Sequence, residues 1–214
     1  TSEYVDKKSG VSARLSISAL ENAYSAAERR AIINGEKETQ VWLNDLVGII
    51  PSITGKIELV YEGEQEGPFQ VAMNLLEKAI RSQFVNYFPN PDALKKRRNT
   101  QQQVTDNPYR SIQSWFDKGN SLNMLFTMTD GEKMSELYKV DGLHALVKKY
   151  FKQANERETA LLMEFVLHGL SAYSIISKRI VENKIEFKDL MGSMLNLGST
   201  PGYSDEDMDK EDFN

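Results

Sequence analysis

The stretch that decides how this chain reads is Gly10-Val11-Ser12-Ala13-Arg14-Leu15-Ser16-Ile17-Ser18-Ala19-Leu20-Glu21. Ser9 and Ser12 can cap a helix N-terminus, and the apolar positions Ala13, Ile17, Leu20, Tyr24, Ala27 and Ala31 then recur every three to four residues. That spacing predicts one amphipathic helix from about residue 12 to 33 with a single buried stripe, stopped by the left-handed cap signal Asn34-Gly35. Arg14 falls beside Ser18, Glu21, Ser25 and Glu28, on the polar flank of the first turn. From there its guanidinium can reach an anion held by another domain. On the residues alone, a plain surface arginine is the simpler reading.

Working outward, the same 3.6-residue period marks further helices. Leu46, Ile49, Ile50 and Ile53 supply the next buried face, and Glu58 to Gly67 reads as a loop or helix end. From Pro68 a strong pattern runs through Phe69, Ala72, Met73, Leu76, Ile80, Phe84, Tyr87 and Phe88. Residues 89–108 hold Pro89, Pro91, the basic run Lys95-Lys96-Arg97-Arg98 and the polar run Asn99 to Gln103, which together offer almost nothing to bury. A linker between two helical units is expected there. Beyond it, Tyr109 to Phe116, the Thr129-Asp130-Gly131-Glu132 start, the Asp141-Gly142-Leu143 start and the apolar run after Asn155-Glu156 each predict a helix. A final helix is expected over 184–197, with Phe187, Leu190, Met191, Met194 and Leu195 on its face. No sustained strand alternation and no internal repeat stands out.

Composition narrows the function classes. The 214 residues contain no cysteine, which excludes disulfides, thiolate zinc sites and cysteine nucleophiles and permits a reducing compartment. The net charge of −5 comes from residues 203–214, where six acids face Lys210, so the rest of the chain is balanced. That tail, 199–214, is expected to be disordered. The most apolar stretch, Ala160 to Ile176, is broken by Glu164, His168 and Ser171 and falls short of the ~20 residues of a spanning helix. A chain that starts at Thr1 without an apolar signal segment is expected to be a fragment or processed product, in the cytoplasm.

The chemical motifs are few. A phosphate loop needs G-x-x-x-x-G-K-[ST], and Gly55-Lys56 is followed by Ile57 with no glycine five residues before. No G-x-S-x-G is present. Glu164 and His168 share a helix face at a spacing that can bind metal, but no H-E-x-x-H pattern exists, so a hydrogen-bonded structural pair is expected and no metal or catalytic residue is assigned. The basic run at Lys95 to Arg98 lacks interleaved aromatics, so nucleic acid is not the expected partner.

With these residues in view, the chain resembles a family. Gly10-Val11-Ser12-Ala13-Arg14 followed by Leu15 to Glu21 is similar to the second-sensor motif that opens a lid-domain helix in AAA+ ATPases of the magnesium-chelatase subunit I and MoxR-like group. Ile53 to Gly67 and Leu162 to Leu170 resemble C-terminal segments of magnesium-chelatase-like proteins. The resemblance implies an all-α fold: an AAA+ lid-like helical domain over 1–88, the linker 89–106, a C-terminal helical domain over 107–198 and the tail 199–214. It implies ATP and Mg as cofactors of the intact protein, with Arg14 as the nucleotide-sensing residue and the Walker motifs in a missing N-terminal ATPase core. Implied partners are that core, neighbouring ring subunits and an adhesion-type (von Willebrand A-like) domain protein. The implied work is protein remodelling or metal insertion, in which this chain alone is inactive as an enzyme. The alternative is a non-catalytic helical protein-interaction module.

Overall fold

A computed structural model of the chain describes residues 3–6, 13–94 and 107–191. Helix α1 spans Arg14–Asn34 and stops where Gly35 turns left-handed (φ 67°), so that Gly35 N–H and Glu36 N–H donate back to Ile32 O and Ala31 O. A 3-10 helix follows at Leu43–Ile49, then α2 (Ile50–Thr54), α3 (Tyr61–Glu66) and α4 (Pro68–Phe84), the last opened by a proline whose missing N–H costs nothing at a helix start. The second half holds α5 (Arg110–Asp117), α6 (Asp130–Tyr138), α7 (Leu143–Tyr150) and α8 (Glu156–Ala172). Thr129 and Asn155 cap α6 and α8 through reciprocal bonds with Glu132 and Glu158, which satisfy backbone donors that the helix itself leaves unpaired.

The fold is largely helical, and it also carries a small sheet. Strands β1 (Leu122–Leu125), β2 (Ser177–Val181) and β3 (Lys184–Lys188) lie antiparallel in the order β1-β3-β2. Met124 faces Ile185 and Leu122 faces Phe187 across β1 and β3. The helix expected over 184–197 is therefore corrected for its first part: Lys184-Ile185-Glu186-Phe187-Lys188 alternates polar and apolar, and Ile185 and Phe187 are buried. A two-residue connection, Glu182-Asn183, sets this register, with Glu182 in the left-handed region (φ 51°). Residues 192–197 of that expected helix lie outside the described residues. So do Ser9 and Ser12, the basic run 95–98 and the tail 199–214.

Packing runs across the expected linker. One apolar core joins Trp42, Phe84 and Phe88 from before residue 89 to Tyr109, Phe116, Leu143, Val166 and Phe187 from after it. Gly169 of α8 lets that helix approach α4 so closely that a methyl there would fall inside the Phe84 ring. Arg81 seals the same junction: it donates to Ala172 O (3.0 Å), pairs with Asp92 (2.6 Å) and lies 4.3 Å over the Tyr173 ring. The described parts of the two expected units thus share one core. A second, smaller cluster of Ile50, Ile53, Ala72 and Met73 packs α2 on α4.

Candidate functional site

Arg14 is the first residue of α1 and is exposed there, in keeping with its place on the polar flank. Ala13 stands at the N-cap with no side-chain cap bond. Of the six positions expected on the α1 stripe, only the last two are buried, and Ala13 at its start is exposed. Ala27 and Ala31 are buried, but Ile17, Leu20 and Tyr24 are 60 %, 59 % and 57 % exposed. The buried face is Ala23, Ala27, Arg30 and Ala31. Small side chains along that face let neighbouring backbone approach, and the 3-10 helix packs against it.

Arg30 is the centre of the most developed polar site among the described residues. It is 3 % exposed and spends its guanidinium on three segments. Nε and one terminal nitrogen donate to the two carboxylate oxygens of Asp45 (3.3 and 3.2 Å), that same nitrogen donates to Thr39 Oγ1 (2.9 Å) and Gln40 O (3.0 Å), and the other donates to Asp130 Oδ1 (2.8 Å). Glu36 adds a carboxylate at 3.6 Å and accepts the Asp130 N–H (2.9 Å). Asp130 Oδ1 also accepts from Trp42 Nε1 (2.7 Å) and Thr39 Oγ1 (3.0 Å). Burial opposes the charged guanidinium, but the bonds and charges of Asp45 and Asp130 outweigh it and push the Arg30 pKa upward.

Glu164 completes the corner from α8. Its carboxylate accepts the N–H groups of Leu43 (2.7 Å) and Asn44 (3.1 Å), and so caps the 3-10 helix from a distant part of the chain. Burial raises its pKa; Lys133 and the two N–H bonds act the other way. Lys133, on α6, is fully buried 5.3 Å over the Trp42 ring, and burial lowers its pKa against the pull of Glu164, Asp45 and Asp130. No hydrogen-bond partner for Lys133 Nζ, Asp130 Oδ2, Glu36 Oε2 or Asn44 Oδ1 stands among the described residues.

The expected Glu164–His168 hydrogen bond is absent. Glu164 is spent on the 3-10 helix, and neither His168 nitrogen has a partner among the described residues. His168 instead meets Phe187 edge to face at 5.2 Å, and burial, with Lys178 and Lys133 nearby, holds its pKa well below the usual imidazole value. His144 lies on another helix, exposed beside Tyr138. Gly55-Lys56 follows α2 with Gly55 at an ordinary φ of −84°, bonded back to Pro51 O, so it forms a helix end and no phosphate cradle.

Sequence reading singled out Arg14, Glu164 and His168 and missed Arg30, Asp45, Asp130 and Lys133. The one available signal was that Arg30 shares the helical phase of Ala23 and Ala27, and an arginine there reads as a boundary residue until its acids are known. The acids lie 15 and 100 residues away. Compared with known proteins, the chain matches no family model, no curated protein and no solved structure.

Proposed function

We propose that this chain is the C-terminal part of a magnesium-chelatase-like AAA+ ATPase, in which Arg14 senses nucleotide bound by a core elsewhere in the assembly. The observation that supports this most is the position of Arg14: an exposed arginine as the first residue of a 21-residue helix whose other end carries the buried Arg30. A cation so placed contacts phosphate without reorganising its own helix, and rotation of that helix carries the contact with it. Of the groups an ATP–Mg site requires, the described residues fit one cationic contact to phosphate and no phosphate cradle. Purine, metal and the remaining phosphate contacts fall to the core. Protein remodelling or metal insertion into a client, in a ring with an adhesion-type domain partner, is the work this reading assigns to the intact protein.

The experiment is Arg14→Ala in the intact ATPase. Turnover falls by two orders of magnitude or more, as for loss of a charge-assisted contact strengthened in the transition state, while the thermal midpoint of this chain stays unchanged. Unchanged turnover makes Arg14 an ordinary surface residue.

A second reading, a non-catalytic interaction module, draws on the exposed line Ile17, Leu20 and Tyr24. Leu20→Gln separates the two: it lowers partner capture with turnover intact if the module reading holds.

A further inference from the structure

The corner holds two cations, Arg30 and Lys133, and four carboxylates, those of Glu36, Asp45, Asp130 and Glu164, and it divides them unequally. Arg30 donates hydrogen bonds to both Asp45 and Asp130. Lys133 donates none among the described residues, although Glu164, Asp45 and Asp130 all act on it electrostatically and it has three donors to give. The same network also holds unused acceptors: Asp130 Oδ2 and Asn44 Oδ1 are buried and without partners among the described residues. A network serving stability alone satisfies such groups, because each one left unmade in the interior costs the full loss of its hydration.

Asp130 and Lys133 are also three residues apart on α6, a spacing at which side chains share a face, and Trp42 lies against both. At that spacing a long lysine stem and a carboxylate on one helix are within pairing range of each other. We infer that this corner is a two-position clamp, in which Lys133 competes with Arg30 for Asp130 and a change of partner loosens the hold of α1 on α6. In the second position Arg30 keeps Asp45, Thr39 and the Gln40 carbonyl, so α1 stays joined to the 3-10 helix and loses only the direct bond of Arg30 to α6. Other ties between the halves remain: Glu164 accepts from Leu43 and Asn44, Asn34 Nδ2 donates to Thr127 O (2.8 Å), and Glu36 accepts the Asp130 N–H. The clamp thus sets how firmly the helix carrying Arg14 is held to the C-terminal half. This does not rest on a nucleotide role for Arg14.

The test uses this chain without ligand. Trp42 Nε1–H donates to Asp130 Oδ1 and is a direct reporter, one of only two indoles in the protein. Relaxation dispersion on that N–H is expected to show exchange between two positions on the microsecond-to-millisecond scale, abolished in Lys133→Met. In the same variant, which removes an unpartnered buried cation and keeps the apolar stem, amide exchange over Leu43–Ile49 and the start of α6 slows about tenfold and the thermal midpoint rises. Asp130→Asn is expected to speed that amide exchange. A flat dispersion profile in the wild-type chain overturns the clamp. So does a lower midpoint in a folded Lys133→Met, which makes Lys133 the fixed counter-charge of Glu164. If Lys133→Met fails to fold, Lys133→Gln with the same indole measurement gives the answer by loss or persistence of the exchange.

Discussion

The two ends of α1 reverse the usual placement of side chains. Toward its start, Ile17, Leu20 and Tyr24 stand more than half exposed, whereas near its end an arginine is buried with its bonds made. The difference lies in what each end faces. Near Arg30 the chain has folded back as the 3-10 helix and α6 has arrived from a hundred residues away, so a cation finds acids and a carbonyl within bonding distance. Around Ile17 the described residues supply no such cover. A buried charge is tolerated only where its partners are pre-arranged, while apolar surface left in water costs free energy only in proportion to its area. The locked end is thus the expensive one to disturb, and the exposed end is the one available to a partner.

The sharpest way to break this comparison is Arg30→Met. Asp45 and Asp130 are then buried without their cation, and the loss is expected to be about 3–5 kcal/mol in urea unfolding. A loss below about 1 kcal/mol would mean that the corner is solvated and the contrast false. The next largest effect concerns the junction between the chain's halves. Gly169→Ala pushes a methyl into the Phe84 ring and is expected to cost about 1–3 kcal/mol, read as a lower denaturant midpoint with an unchanged slope. Two separate transitions in that experiment would mean that the shared core does not act as one unit.

A pH titration examines the buried half from another side. The folded-state pKa of His168 lies below its unfolded value near 6.5, so the unfolded chain takes up the proton first. Stability is fully present above about pH 6.5 and falls as pH drops toward the folded pKa, by up to about 1.4 kcal/mol per unit. His168→Gln is expected to flatten that limb, and Glu164, whose pKa is raised, works oppositely by losing its burial cost as it protonates. An identical slope in wild type and variant would assign the acid limb to other groups. The smallest effect is expected at the exposed end: Leu20→Gln changes stability by no more than about 0.5 kcal/mol. A cost above about 2 kcal/mol would show that this face is covered in solution.

The amino-acid sequence by itself determined most of the helices, because the signals that start and stop them are local. Gly35 ends α1, Pro68 opens α4, and Thr129 with Glu132 and Asn155 with Glu158 begin α6 and α8 where capping chemistry puts them. It also put Arg14 on an exposed polar flank. What only the tertiary structure decided depends on partners remote in sequence. A helical period finds an amphipathic face but not which neighbour covers it, so the α1 stripe was misplaced over Ile17, Leu20 and Tyr24. Strands of four or five residues have too few alternations to outweigh a helical pattern until pairing with β1 buries Ile185 and Phe187. Arg30, Lys133 and Glu164 each read as surface or pairwise residues within their own helices. They become one site because folding brings α1, the 3-10 helix, α6 and α8 to a single buried corner, where removal from water makes charged groups seek any partner within reach, however distant along the chain.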